Sequence, residues 1–249
     1  MIQVADERNR PPARARAPFL LRGTSTTCRV QQWSFRADTA QLVLYQQRAL
    51  PTTADLLTWC GELAALGYTR VRTSAVAGNV LPRLEAAGFG MMQELVLLEH
   101  TDIARAAATW RDTAATVRLP PVQQGAASRI DEAAFGREWA LDRVALHEVC
   151  AATPRHRARG AGEPLAGYAI TGRDGRQGFL QRLAVHPAAQ RQGLGLALVA
   201  DSLAWMARWR VERALVNTPT DNAAALRLYE HVGYRQLPEP LCVYERSLA

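Results

Sequence analysis

Two glycines in a short loop, Gly193 and Gly195, could bind an anion. The loop spans residues 190–195, follows an apolar strand that ends at His186-Pro187, and precedes helical spacing over 196–209. This order brings free backbone N–H groups to the positive end of a helix dipole. Because glycine has no Cβ, a phosphate can approach its backbone closely, and a positive φ is allowed there. The sequence therefore predicts a phosphate-binding loop.

A tyrosine that could donate a proton lies downstream of this loop. Residues 214–217 have the character of a short strand, and Asp221-Asn222 then signals the start of a helix over 223–231 that Gly233 ends. Asn222 and Tyr229 are seven residues apart, or two helical turns, so their side chains share one face. A tyrosine phenol has a reference pKa near ~10 and is a neutral donor at pH 7.

Together the two segments resemble the GNAT superfamily of N-acetyltransferases, over roughly residues 125–249. In that family a Gln/Arg-x-x-Gly-x-Gly loop, here residues 190–195, holds the pyrophosphate of coenzyme A. A later Asn…Leu-Tyr-Glu-x-x-Gly-Phe/Tyr segment, here Asn222 and residues 228–234, supplies a pantetheine contact and a tyrosine acid. The resemblance implies the α/β (α+β) acyl-coenzyme A N-acyltransferase fold, a mixed central sheet flanked by helices.

The resemblance also implies a reaction and the residues that perform it. Acetyl-coenzyme A is the expected acyl donor, and the amine of a small molecule or peptide attacks it directly in a ternary complex, without a metal ion. Tyr229 is the expected catalytic acid, and the strand over 183–185 is expected to polarise the thioester carbonyl. The expected cofactor-binding residues are Leu183, Ala184, Val185, Gln190, Arg191, Gln192, Gly193, Leu194, Gly195, Leu196, Asn217 and Asn222.

The sequence does not identify a general base. Many family members carry a glutamate near the start of the strand that leads into the cofactor loop, and the matching position is about Phe179, which cannot accept a proton. A water relay could accept the amine proton instead, or the acceptor amine could have a pKa low enough to be neutral without a base. The remaining acids are expected to be solvated surface groups: Asp131, Glu132, Glu138, Asp142 and Glu163.

Other functions fit the sequence less well. A dinucleotide fold would need Gly-x-Gly-x-x-Gly with a later acidic residue, and a P-loop would need Gly-Lys-Ser/Thr; neither is present. A non-catalytic acyl-coenzyme A sensor would keep the phosphate loop without needing Tyr229. A scaffold of two acetyltransferase-like halves would bind no coenzyme A.

Composition limits the partners and the compartment. The 249 residues carry a net charge of +7, yet all 30 basic residues are arginine, which is typical of a GC-rich genome. The aromatic residues are not interleaved with the arginines in a stacking pattern, so no nucleic-acid partner is expected. No apolar run is long enough for a membrane, and residues 1–18 lack a secretory apolar region, which favours the cytoplasm. The four cysteines are expected to be buried free thiols, and the five histidines lack metal-ligand spacing.

The first half of the sequence is predicted to be a degenerate copy of the second. Gln47-Arg48 matches Gln190-Arg191, and Gly88-Phe89 matches Gly233-Tyr234 at a slightly larger offset. In that alignment leucine replaces Tyr229, so no coenzyme A is expected there. This half would complete the sheet, shape the acceptor cleft or form a homodimer contact. The predicted segments are a flexible tail at 1–19, a GNAT-like half at 20–105, a linker at 106–127 and a catalytic domain at 128–249.

Local patterns predict several elements of this last segment. Residues 130–150 have helical spacing, and residues 155–162 are expected to form a basic, glycine-containing loop. Asp174-Gly175 is expected to be the turn of a hairpin between two strands.

Overall fold

The computed structural model describes residues 17–44, 49–113 and 115–248. The chain divides into two compact units. The first comprises Met1–Gln93 and Cys242–Ala249, and the second comprises Glu94–Leu241. The predicted linker at 106–127 instead contains a short strand and parts of two helices, and most of the predicted tail at 1–19 lies outside the described residues.

The first unit is a mixed sheet with two helices. Its elements are β1 (Phe19–Arg22), β2 (Thr27–Trp33), β3 (Arg36–Val43), α1 (Thr53–Ala65), β4 (Arg70–Thr73), a 3₁₀ turn (Gly78–Val80), α2 (Leu81–Ala86) and β12 (Leu241–Ser247). β1, β2 and β3 pair antiparallel in sequence order. α1 then connects β3 to the parallel strand β4, and β12 pairs antiparallel with β4. The last strand of the sequence therefore completes the first unit.

The second unit is a larger mixed sheet covered on both faces. Its elements are β5 (Gly90–His100, paired from Leu95), α3 (Ile103–Thr109), β6 (Val117–Arg118), α4 (Gln124–Phe135), α5 (Arg143–Ala151), β7 (Arg155–Ala161), β8 (Gly167–Asp174), β9 (Gln177–Val185), α6 (Leu194–Arg208), β10 (Arg213–Pro219), α7 (Ala223–His231) and β11 (Arg235–Gln236), with 3₁₀ turns at Pro121–Gln123 and Pro187–Ala189. The strand order is β5-β10-β9-β8-β7-β6, with β11 beside β5. The predicted mixed sheet flanked by helices is confirmed.

The two faces of this sheet carry separate apolar clusters because side chains alternate along each strand. In β8, Ala169 packs with the helices α3, α6 and α7, whereas Tyr168 and Ile170 pack with α4 and α5. The hairpin at Asp174-Gly175 is confirmed between β8 and β9. All four cysteine side chains are buried, as predicted.

Two local expectations are wrong. Residues 155–162 were expected to form a loop, but β7 pairs with β8 along its whole length. Residues 130–150 were expected to be continuously helical, but α4 ends at Gly136, which has a φ of +71°, and Asp142 starts α5. Glycine adopts this positive φ without strain because it has no Cβ, and the helix therefore ends there. The apolar spacing continues across the break, which is why the sequence predicted one helix.

The ends of α2 and α7 support the predicted repeat. The N–H of Phe89 donates to the carbonyl of Leu84 at 3.0 Å, and the N–H of Tyr234 donates to the carbonyl of Tyr229 at 2.9 Å. Leu84 therefore occupies the place of Tyr229 and cannot supply a proton. The predicted match of Gln47-Arg48 lies outside the described residues.

The N-terminus of α1 already holds a carboxylate of the chain itself. Asp55 accepts from the N–H and hydroxyl of Thr52 at 2.9 and 2.8 Å, and from the N–H and hydroxyl of Thr24 at 2.7 and 2.9 Å. Thr52 in turn caps the helix by accepting from the Asp55 N–H. The backbone N–H of Thr52 is the main reason that the pKa of Asp55 is lowered to about 2.

We expect Asp55→Asn to lower the free energy of unfolding of the first unit by about 2 kcal/mol at pH 7, because charge-assisted hydrogen bonds are lost. The contribution of the carboxylate is fully present above its unfolded pKa of about 3.9 and is lost as the pH falls through about 2. Urea unfolding between pH 6 and pH 2 measures this difference. The difference in unfolding free energy between the wild type and Asp55→Asn should shrink below about pH 4. A difference that stays constant with pH would show that the Asp55 carboxylate does not hold these hydrogen bonds in its charged form.

Candidate active site

The site begins where β9 and β10 separate. The two parallel strands pair at Ala214 and Leu215, opposite Gly178 and Phe179, and the pairing stops there. β9 continues to Val185 while it stays paired with β8. Beyond Phe179, one edge of β9 is therefore open, and a ligand strand can occupy the place that β10 has left.

A cavity of about 330 Å³ lies at the open end of this gap. Most of the predicted cofactor residues line it: Leu183, Ala184, Val185, Gln190, Arg191, Gly193, Leu194, Gly195, Leu196 and Asn222. The cavity is also lined by Ala134 and Phe135 of α4 and by the apolar face of α7, including Leu228, which the sequence did not predict. The apolar walls suit an alkyl chain such as the pantetheine arm, since burial of apolar surface is favourable.

The N-terminus of α6 presents six consecutive N–H donors, from Arg191 to Leu196. Among the described residues, none of these N–H groups donates a hydrogen bond; the first helical bond is from Ala197 to the Gly193 carbonyl. Gly193 is the N-cap with a φ of +80°, which glycine adopts without strain. A Cβ on Gly195 would lie 3.2 Å from Leu228 Cδ2, so that glycine allows α7 to pack closely. Free donors and helix dipole together can bind a diphosphate.

The open edge of β9 offers backbone groups at alternate residues. The His186 N–H donates to the Ala166 carbonyl at 2.8 Å, next to β8. Because backbone direction alternates in an antiparallel ladder, Ala184 also faces β8, while Leu183 and Val185 face the gap. Gln181 forms a β-bulge two residues earlier, where the register with β8 shifts. Of the strand 183–185, the backbone of Leu183 and the N–H of Val185 are thus available to a ligand. Ala184 faces β8, and the Val185 carbonyl already accepts from Gln190 Nε2 at 3.4 Å.

Three predicted residues lie outside the cavity lining. Gln192 and Asn217 are exposed, and Asn217 lies opposite Leu97 of β5. Tyr229 is buried one residue beyond Leu228 on α7. Asn222 lines the cavity and also caps α7, where its Oδ1 accepts from the Ala225 N–H at 3.2 Å. Its amide NH₂ is a donor for a ligand carbonyl.

Burial keeps Tyr229 protonated. Loss of water around the phenol raises its pKa above the ordinary value of 10, and the nearby positive charge of Arg182 opposes this only in part. Its ring lies 5.8 Å from that of Tyr234, which in turn meets His100 edge to face at 5.2 Å. Tyr229 is therefore a neutral phenol throughout the physiological range.

A buried ion pair beside the site was also missed. The carboxylate of Asp131 accepts from Arg182 Nε at 2.8 Å and from its Nη2 at 2.5 Å, and it accepts from the Tyr168 hydroxyl as well. Asp131 is completely buried, so the expectation that it is a solvated surface group is wrong. The guanidinium of Arg182 lies 3.8 Å from the centroid of the Phe135 ring. A carboxylate so fully paired cannot serve as a free base.

The other four acids differ in exposure. Glu163 is exposed, Glu132 and Glu138 are half-buried, and Asp142 caps α5 by accepting from the Ala145 N–H at 2.8 Å. Across the described residues, no group of three histidine, cysteine or acidic side chains could hold a metal ion. In the same residues, every helix is too short or too polar to cross a bilayer.

Known proteins resemble part of this sequence and most of this fold. A family model described as acetyltransferase (GNAT) family matches residues 133–234. No curated protein sequence matches the chain. Similar solved structures include a tandem GNAT protein from the clavulanic acid biosynthesis pathway, solved without AcCoA, at 13% identity with a TM-score of 0.65, covering 90% of this chain and 79% of that chain.

Two further structures share the fold at the same 13% identity. The GCN5-related N-acetyltransferase from Kribbella flavida has a TM-score of 0.58 and covers 92% of this chain and 89% of its own. The one from Sphaerobacter thermophilus has a TM-score of 0.54, with coverages of 89% and 76%. At such identities the likeness shows the fold alone. Residues 133–234 match the model of the acetyltransferase (GNAT) family, and the chain has a fold similar to that of a tandem GNAT protein.

Proposed function

We propose that the second unit transfers an acetyl group from acetyl-coenzyme A to the amine of a small molecule or peptide. The observation that carries this proposal is the run of six unpaired N–H groups from Arg191 to Leu196, adjacent to the gap between β9 and β10. The donors bind the pyrophosphate, and Arg191 adds a positive charge. The pantetheine arm lies along the apolar cavity, paired with Leu183 and Val185 and held by Asn222.

The reaction proceeds by direct attack. The lone pair of a neutral amine forms a C–N bond at the thioester carbonyl carbon, and the carbonyl oxygen becomes negatively charged. An N–H of the open β9 edge stabilises that charge. The C–S bond then breaks, and the sulfur takes the phenolic proton of Tyr229. The amine proton leaves to water, because Asp131 is occupied by Arg182, and Tyr229 is reprotonated from solvent.

The first unit is proposed to bind no coenzyme A. Asp55 and Thr52 already satisfy donors at the N-terminus of α1, and Leu84 replaces the tyrosine acid. A bound pyrophosphate would meet the Asp55 carboxylate at this place and be repelled.

Calorimetric titration of the whole chain with acetyl-coenzyme A tests both statements. We expect saturable binding of one molecule per chain, followed by release of free thiol when a panel of amines is added. Two sites per chain would contradict the proposal for the first unit. Binding without turnover for any amine would instead favour an acyl-coenzyme A sensor, and failure to bind would favour a scaffold.

A further inference from the structure

A second pair of cavities lies in the second unit, away from the acyl-donor site. Their volumes are about 460 and 340 Å³, and they adjoin because both are lined by His156 and Trp205. None of their lining residues belongs to the cavity at the N-terminus of α6. We call the two together the tryptophan–arginine groove. Its arginines are Arg118, Arg155, Arg157, Arg159 and Arg173.

The groove is strongly positive. Asp201 accepts from Arg157 Nε and Nη2 at 2.8 and 3.0 Å and lies 3.4 Å from Arg159 Nε. In the part of the chain that the structure describes, no other carboxylate pairs with the five arginines. Arg118 and Arg155 are exposed to solvent. One acid therefore faces five arginines, and the excess of positive charge favours an anion.

The arginines of β7 are regularly spaced. Arg155, Arg157 and Arg159 alternate along the strand, so their side chains share one face about 6.6 Å apart. That face is the one that meets α6, since Arg157 and Arg159 both contact Asp201. The interval is close to the separation of successive phosphates in an extended polynucleotide backbone.

Two tryptophans of α6 lie beside this row. Trp205 and Trp209 follow Asp201 at intervals of four residues, which places all three on one helix face. Trp209 is 53% exposed, unusual for so large an apolar ring. The Arg173 guanidinium lies 4.5 Å from the centroid of the Trp209 ring, and Arg173 Nε is buried without a hydrogen-bond partner among the described residues. An exposed indole next to arginines offers a stacking surface for a base.

We propose that the tryptophan–arginine groove binds a single-stranded nucleic acid, with phosphates along the β7 arginines and a base on Trp209. An acidic peptide would match the charge but would not use the exposed indole. No nucleic-acid partner was expected, because the aromatic residues are not interleaved along the sequence with the arginines of this groove. The fold brings arginines of β6, β7 and β8 together with the tryptophans at the end of α6.

Fluorescence anisotropy of a labelled twelve-nucleotide oligo(U) titrated with the whole protein tests the proposal. We expect saturable binding that weakens steeply as KCl is raised. Trp209→Ala is expected to weaken it by about fivefold or more through loss of stacking. Arg155→Ala is expected to reduce the slope of log affinity against log salt by about 1.

Arg105→Ala is the matched control, because it removes an exposed arginine of α3 outside the groove, and it should leave binding unchanged. Acetyl-coenzyme A affinity measured on each variant shows that the second unit remains folded. Absent or unsaturable binding would overturn the proposal, as would equal losses in Arg105→Ala and Arg155→Ala. Displacement of oligo(U) by poly-glutamate at equal charge concentration, with no effect of Trp209→Ala, would assign the groove to acidic peptides instead.

Discussion

Tyr229→Phe is expected to lower kcat by about 10²–10⁴-fold while the affinity for acetyl-coenzyme A stays the same. Without the phenolic proton, coenzyme A must leave as an unprotonated thiolate in a site with little water. The ring itself, which packs against Tyr234, is retained, so the fold of α7 is unaffected. Free-thiol release under saturating acetyl-coenzyme A measures kcat, and calorimetry measures the affinity.

Tyr234→Phe is the matched control for this variant. Tyr234 is equally buried and next to Tyr229, but its hydroxyl has no hydrogen-bond partner among the described residues. Removal of an unsatisfied buried hydroxyl should leave kcat unchanged and slightly raise the unfolding midpoint. If Tyr229→Phe behaves like Tyr234→Phe, Tyr229 is not the acid.

Leu196→Asp is expected to weaken acetyl-coenzyme A binding by about 100-fold relative to Leu196→Asn. Leu196 is the third residue of α6 after the cap Gly193, the same helical position that Asp55 holds in α1 after Thr52. Two unit charges about 5 Å apart repel by about 3 kcal/mol at an effective dielectric constant near ~20. A carboxylate at this position would therefore compete with the pyrophosphate for the same N–H groups.

Leu196→Asn is the control that separates the effect of the negative charge from the effect of losing the leucine side chain. Both substitutions remove the leucine side chain from the cavity, and an acid in the first turn of a helix is not destabilising. Calorimetry of the two variants, with thermal unfolding to compare their stability, gives the difference. Equal affinities for Leu196→Asp and Leu196→Asn would show that no anion binds at this helix end.

The sequence predicted the parts of the site that depend on local backbone chemistry. Gly193 requires a positive φ and Asn222 caps α7, and each leaves a signal within a few residues. Ala184 shows the limit of this reasoning. The backbone groups of β9 that face a ligand are set by the register of β9 with β8. The residues of β9 alone do not determine that register.

Contacts between distant segments were not predictable in the same way. Asp131 and Arg182 are 51 residues apart, and nothing near either one signals a buried pair. The continuous apolar spacing over 130–150 likewise concealed the break at Gly136, because both helices bury a face against the same sheet. Residues 155–162 were expected to be a loop because their composition is polar. They form β7 instead, and a strand near the sheet edge can carry arginines whose side chains reach solvent.

The pairing of β12 with β4 has a consequence for how this protein can be dissected. The first unit is formed by two separate stretches of the sequence, because its last strand comes from the final residues. A gene cut after Gln93 would leave β4 with an unpaired edge in one product and β12 without β4 in the other, and such exposed edges are prone to aggregation. Loss of the first unit would therefore be selected against even if that unit performs no chemistry.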